Sequence, residues 1–354
     1  MNQNTNQYMA EESIGKLMLR FSIPCIMSLL VSALYNIVDQ IVYWTGHWFF
    51  GKRRHQRGIP CDCHRPVPVS LVGDGCAAYL SICQGRRDGE HAHRSVGNAV
   101  VFITASGIVL TLLYAFFRDS ILWGFGATEN NIGYAREYFL YLIPGIPFFM
   151  FANAMNSVIR ADGSPQFAMF STLIGCALNV VLDPVAIFVL GWGMKGAALA
   201  TITSQLLSAV LVVLALMKTD DMYKLEWKKV RIDQRMLQRI VRIGIPAGMQ
   251  SVMYNISNVI IQAGVNTLGT DNVTAWATYG KVDGLYWMMI NALGISVTTF
   301  VGQNFGAGRL DRVRKGAGAC MVIGVALTAS VGVVLYNGGH LLVELFTTDQ
   351  QVQA

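Results

Sequence analysis

Two aspartates stand in apolar surroundings. Asp39 falls near the far end of an apolar run at about Leu17–Trp44, and Asp183 falls inside another at about Phe167–Leu190. Tyr35 precedes Asp39 by four residues and Asn179 precedes Asp183 by four, so each pair shares one face of a helix. A carboxylate inside hydrocarbon is expensive, and acids kept there usually mark an ion or substrate path. With Asn179 and a hydroxyl such as Thr201, two such acids can alternately hold a proton, a sodium ion or an organic cation. The plainer roles are a cap on a helix interface before Pro184 for Asp183, and contact with lipid headgroups for Asp39.

Other polar residues in apolar runs are less specific. Tyr138, Asn153 and Asn156 can line a cavity. The two asparagines are three apart and share a face, although Asn also serves as hydrogen-bonding glue between membrane helices. Lys281 and Asp283 lie between Gly280 and Gly284, as a charge pair or a second polar patch; a spacing of two puts them on different faces. Cys61-Asp-Cys-His64, with His55 nearby, has metal-binding residue types but no second pair at zinc spacing. No resident metal or cofactor is expected. His91 and His93 sit in a basic loop and read as solvated. No G-x-S-x-G or H-E-x-x-H motif is present, so an enzyme is not expected.

The elements that hold these residues are membrane helices. The chain has 354 residues, 53% hydrophobic and only 14% charged, against about a quarter charged in a soluble domain. The apolar runs reach the roughly 20 residues that a bilayer demands. Spans are expected at about Leu17–Trp44, Val96–Phe117, Tyr134–Ile159, Phe167–Leu190, Ala197–Met217, Ile240–Thr267, Val273–Val301 and Gly316–Tyr336. Barrel-like alternation is absent, and helices satisfy their own backbone in lipid. Met1–Ser13 is polar and the first apolar run is long enough to span, so a cleavable leader is not expected. Cys25, Cys176 and Cys320 lie in apolar helices as small hydrophobes.

A net charge of +6 does not point to nucleic acid, because the cations lie in loops between spans. Lys218–Arg239 carries Lys218, Lys224, Lys228, Lys229, Arg231, Arg235 and Arg239, and the rule that cytoplasmic loops are positive places it inside. The stretch around Arg309, Arg312, Arg314 and Lys315 is likewise basic. Asp119–Asn131 and Gly269–Asn272 lack that bias and are expected outside.

The chain repeats itself. Ile23, Pro24, Met27, Asn36 and Gln40 recur 222 positions later as Ile245, Pro246, Met249, Asn258 and Gln262. Gln84, Gly89 and Gly97 recur 219 positions later as Gln303, Gly308 and Gly316. Two structural halves with a site between or within them are therefore expected, as in many transporters. The division is 1–217 as a first lobe, 218–239 as a linker and 240–354 as a second lobe.

The repeat also sets two expectations of damage. The second half is shorter than the first by roughly 85 residues, room for three helices. Between Trp44 and Val72, where the repeat partner Asn266–Gly294 is largely apolar, stands Gly51-Lys-Arg-Arg-His-Gln-Arg-Gly-Ile-Pro-Cys-Asp-Cys-His-Arg-Pro-Val-Pro68. Four cations in its first seven residues would each cost about 3 kcal/mol at the bilayer centre, and its prolines break helices. Back-translated with permitted codons and read one base later, Arg53–Ser70 becomes an uncharged, largely apolar string. A frameshift over 44–72 is the expectation, and it would make the Cys/His cluster accidental.

These motifs together resemble the multidrug and toxin extrusion (MATE) family, in its DinF-like bacterial branch. The matching stretches are Ile23-Pro24 through Tyr35-Asn-Ile-Val-Asp39-Gln40, Arg160-Ala-Asp-Gly-Ser-Pro165, Asn179-Val-Val-Leu-Asp183-Pro184, Gly196-Ala-Ala-Leu-Ala-Thr201 and Val301-Gly-Gln-Asn-Phe-Gly-Ala-Gly308. The resemblance covers nearly the whole chain outside about Trp44–Val72.

The resemblance implies an all-α polytopic membrane protein built as a two-lobe bundle. Its first lobe has six helices, the second of them damaged, and about three helices of the second lobe follow. It implies a monomeric antiporter in the bacterial plasma membrane, embedded in lipid, exporting small organic cations and drugs in exchange for H⁺ or Na⁺. Asp39, Asn179, Asp183 and Thr201 would be the cation site, Tyr35, Tyr138, Asn153 and Asn156 the cavity lining, and Pro24 the bend of the first helix. The departures from the family pattern leave an inactive product as one expectation. A lipid-linked precursor flippase of the wider superfamily, which would want a more cationic cavity, is the alternative within transport, and a non-transporting remnant is the alternative outside it.

Overall fold

The computed structural model describes residues 15–16, 22–27, 67–124, 132–162, 165–268 and 270–344. Tyr35, Asp39, the stretch 44–66 and its Cys/His cluster lie outside the described residues, as do the side chains of Tyr138 and Lys281. The described residues are helical with no strand. Ten α-helices follow in order: α1 Gly75–Arg86, α2 Gly89–Phe116, α3 Arg118–Gly124, α4 Ile132–Leu142, α5 Ile146–Ala161, α6 Pro165–Pro184, α7 Met194–Lys218, α8 Gln234–Asn266, α9 Thr270–Gly306 and α10 Leu310–Glu344.

Five segments among the described residues are long and apolar enough to cross a membrane: Gly89–Phe116, Phe139–Ala161, Pro165–Val189, Lys195–Lys218 and Leu310–Gly338. They coincide with expected spans. The expected helix at Tyr134–Ile159 is two helices joined by a single 3₁₀ turn at Ile143–Gly145. There Pro144 and Pro147 each remove a backbone donor. Arg118–Gly124, expected as loop, forms the short α3, and its Asp119 binds Arg136 of α4 through both carboxylate oxygens at 2.9 Å.

The helix that periodicity failed to announce is α1, with the π turn Val69–Asp74 that leads into it. The helical course therefore resumes inside the segment that the sequence sets apart at 44–72. Its composition hides it, because Gly73, Asp74, Gly75 and Gln84 interrupt any apolar run. Its position explains the composition: Val69, Val72, Cys76 and Leu80 are fully buried, with α5, α8 and α9 packed around them. A helix sheathed in protein needs small residues for close approach more than lipid-facing bulk. Beside it, Val96, Ile103, Met150, Met155, Ile159, Leu216 and Ile240 complete the core.

The connection from α7 to α8, within the stretch expected as a linker, is no loose tether. It is held down on α2 at three points: His93 Nδ1 lies 2.9 Å from the Lys224 carbonyl oxygen, the Lys229 carbonyl rests on Gly97 where a Cβ would collide, and the Asp233 amide donates to Asn98 at 2.8 Å. Asp233 in turn caps α8, accepting from the amides of Arg235 and Met236.

Candidate functional site

The α6–α7 hairpin makes the first polar cluster. The turn between the two helices passes through Gly191 (φ +67°) and Gly193 (φ +55°), left-handed conformations that glycine adopts without strain. Close packing follows from small residues. A Cβ on Gly196 would come within 2.9 Å of the Ala186 carbonyl, and one on Gly175 would run into Ser208. That approach brings Asn179 and Asp183 of α6 against Thr201 of α7.

Asn179 and Asp183 are each 1% exposed, inside a segment apolar enough to span lipid. With its carboxamide turned to match its neighbours, Asn179 donates to Asp183 Oδ2 at 2.9 Å and accepts from the Thr201 amide at 3.2 Å. Thr201 Oγ1 donates to the Ala197 carbonyl at 3.0 Å and keeps lone pairs toward the cluster. A buried carboxylate, an amide oxygen and a hydroxyl oxygen gathered in apolar surroundings are hard oxygen donors of the kind that hold a proton or an alkali cation.

The remaining expected residues are more scattered. Asn156, 6% exposed, accepts from Ser171 Oγ at 3.0 Å and so ties α5 to α6. Asn153, half-buried, donates to the Phe149 carbonyl of its own helix at 2.8 Å. Pro24 lies half-buried within helical residues 22–27. The adjacent Ser22 meets Ser296 of α9 at 2.9 Å, a direct bond between the two halves. Asp283 takes a 3.5 Å contact from Tyr279 Oη.

A second buried polar cluster lies at the other end of α6, where α1 crosses α9. Gln84 accepts from Gln303 Nε2 at 2.6 Å. The Gln84 amide also donates to the Asp162 carboxylate and, at 3.3 Å, to the Asp162 backbone carbonyl. Asp162 follows the last residue of α5, outside the apolar span, and burial pushes its carboxyl well above the ordinary carboxylate value; the nearby Asp221 charge adds to this, and the Gln84 hydrogen bond opposes it. The sequence paired Gln84 with Gln303 by repeat, but Asp162 was not singled out. The available signal was an acid directly after a helix end in the Arg160–Pro165 motif. From Pro165 to Asp183 α6 rises about 27 Å at 1.5 Å per residue, so the two clusters sit near opposite ends of a membrane helix.

A polytopic helical bundle with an acid, Asp183, buried inside an apolar span fits a membrane transporter. The sequence profile of the MatE family matches residues 67–185 and 246–354, and the chain belongs to that family, whose members are transporters and not enzymes. Among curated relatives, it is similar to the multidrug export protein MepA of Staphylococcus aureus strain MSSA476, at 26% identity over 352 residues, covering 98% of this chain and 76% of the relative. MepA of Staphylococcus haemolyticus is 24% identical over 350 residues, with the same coverage. Among solved structures, the fold matches an outward-facing multidrug resistance MATE transporter of the MOP superfamily at TM-score 0.87 and 21% identity, over 100% of this chain and 79% of that one. It matches equally, at TM-score 0.87 and 22% identity, a MOP superfamily transporter from Pyrococcus furiosus Vc1 for which reverse polarity of the binding pocket is taken to suggest a different function; that match covers 100% of this chain and 78% of that one.

Proposed function

We propose that this transporter exports small organic cations in exchange for H⁺ or Na⁺, with Asp183, Asn179 and Thr201 as the described part of the coupling site and Asp39 as its second acid. The observation that carries the reading is the buried Asn179–Asp183–Thr201 cluster within two apolar helices. A carboxyl group kept there offsets its desolvation by binding a cation or a proton and releasing it when the helices move. The curated relatives are named as multidrug exporters, which supports a drug-like substrate class, and the buried carboxyl group favours cations within it. An acidic cluster also disfavours the flippase alternative, which would have to hold an anionic phosphate.

In this reading residues 1–217 and 240–354 are the two lobes, joined by the cytoplasmic linker 218–239, and the chain works as a monomer in the bacterial plasma membrane. Tyr35, Tyr138, Asn153 and Asn156 belong to the substrate cavity wall, and Pro24 lets the first helix bend when the acids change partner. The stretch 44–72 is the product of a shifted reading frame, an inference that sequencing the gene across those codons tests directly. An uninterrupted frame of conventional reads encoding Lys52, Arg53, Arg54 and Arg57 would remove it.

The transport claim is tested in an efflux-deficient host carrying the frame-restored gene. A fluorescent organic cation should accumulate less than in empty cells, and Asp183→Asn should return accumulation to the empty-cell level. Undiminished export by the Asn variant rejects the assigned site.

A further inference from the structure

The linker presents a surface that the transport cycle does not use. Its amide at Leu225 donates to the carbonyl of Leu216 at 2.7 Å, so the chain leaving α7 doubles back and lies level with the last turn of that spanning helix. Trp227, two residues on, opens a single 3₁₀ turn, Trp227–Lys229. Its indole is 63% exposed and stands beside Met217, itself 40% exposed on the outer side of α7. The two residues line one pocket of about 380 Å³ with Lys224, Leu225, Glu226 and Lys228. Trp at the end of a span, beside an outward-facing apolar residue, belongs at the depth of the lipid headgroups.

The charges around that indole are unequal. Two of the three acids of this stretch are matched: Asp220 pairs with Lys224 at 3.1 Å and Glu226 with Lys229 at 2.9 Å, and Glu226 also faces His93 at 3.5 Å; the third, Asp221, accepts from the Thr219 hydroxyl at 2.8 Å and lies close enough to Asp162 to act on its carboxyl. Lys218 and Lys228 are exposed and make no ion pair among the described residues. An apolar floor, an interfacial indole and two uncommitted ammonium groups complement an acyl chain ending in a negatively charged phosphate.

We propose that this pocket binds the headgroup of an anionic phospholipid, with Lys228 of its lining and Lys218, the chain neighbour of the lining Met217, on the phosphate, and Trp227 and Met217 against the upper acyl chain. The docked lipid clamps the linker to the membrane surface while the lobes move. The inference needs only that the linker lies at a membrane face, so it stands or falls separately from the assigned cation site.

The test uses the full chain reconstituted in phosphatidylcholine vesicles containing a minor fraction of acyl-brominated lipid. Brominated phosphatidylglycerol should quench tryptophan fluorescence more than brominated phosphatidylcholine at the same fraction, and Trp227→Phe should remove that excess. Lys218→Gln with Lys228→Gln should lower the preference by on the order of tenfold while leaving intact the part of the phosphatidylcholine quenching that Trp227→Phe removes, which shows that Trp227 still sits in the interface. Equal quenching by the two lipids, an excess that survives in the double lysine variant, or full competition by free glycerol phosphate would each overturn the proposal.

Discussion

Gln84 and Gln303, equivalent positions of the two repeats, hydrogen-bond to each other at 2.6 Å although 219 residues separate them. Each is 6% exposed, so the bond closes a buried seam between α1 of the first half and α9 of the second. Gln84 is also the sole described donor to the Asp162 carboxylate, which makes this glutamine pair the junction of both halves with the end of α5.

Replacing Gln303 with Leu should leave the Gln84 side-chain oxygen buried without its donor. Such an orphan costs about 1–3 kcal/mol, visible as a lower thermal unfolding midpoint in detergent. Gln303→Leu combined with Gln84→Leu should not recover the loss, because the double variant also takes from the buried Asp162 carboxyl the donor that Gln84 supplies. Equal midpoints for wild type and the single variant would show that the seam contributes nothing.

The buried carboxyl of Asp162 gives the seam a pH dependence of definite sign. Its folded-state pKa lies well above the ordinary 3.8, so the protonated acid is the form the closed seam accommodates. That contribution is complete below 3.8, and it is lost as pH rises through the folded value. The unfolding midpoint should therefore fall over that window, and Asp162→Asn should flatten the dependence. Asp221→Asn, which removes the second cause of the shift, should move the decline to lower pH.

The same seam depends on missing side chains. A Cβ on Gly85 would run into the Gln303 carbonyl, and one on Gly306 into the carbonyl of Ile82. Gly85→Ala should destabilise by about 1–3 kcal/mol, as overpacking does. Gly318→Ala, in an exposed part of α10 with nothing within 4 Å of the added carbon, should instead stabilise by about 0.5–1 kcal/mol. Opposite signs for the two changes would separate contact from intrinsic helix preference; matching signs would refute the close approach.

At the other end of α6, Asn179→Ala should weaken export less than Asp183→Asn does. In the proposed coupling site the carboxylate supplies the charge, whereas Asn179, which bridges to the Thr201 amide at 3.2 Å, orients it. Dye efflux measured against coupling-ion concentration should show Asn179→Ala needing more ion for half-maximal rate with the maximal rate largely kept. A fall in maximal rate at unchanged ion requirement would place Asn179 outside the ion's shell.

Helices with a lipid-facing side were legible in the residues alone. Segments such as Gly89–Phe116 and Pro165–Val189 must be apolar along most of their length, because hydrocarbon offers no partner for a polar group. Asp183 stood out against that background, and Asn179 followed from a spacing of four. The kinship of Gln84 with Gln303 was likewise written in the repeat.

Helix α1 and the seam were decided only by tertiary structure. A helix enclosed by protein is released from the apolar requirement, so Gly73, Gly75 and Gln84 obscured it in the sequence while making its contacts with α5, α8 and α9 possible. Asp162 read as one more polar residue after a helix, because burial and a glutamine partner 78 positions away are properties of the packed bundle. Local composition reports what a segment meets when its neighbour is lipid. When its neighbour is another part of the same chain, the environment is set by the fold, and only the assembled helices reveal which polar groups have been enclosed and with whom.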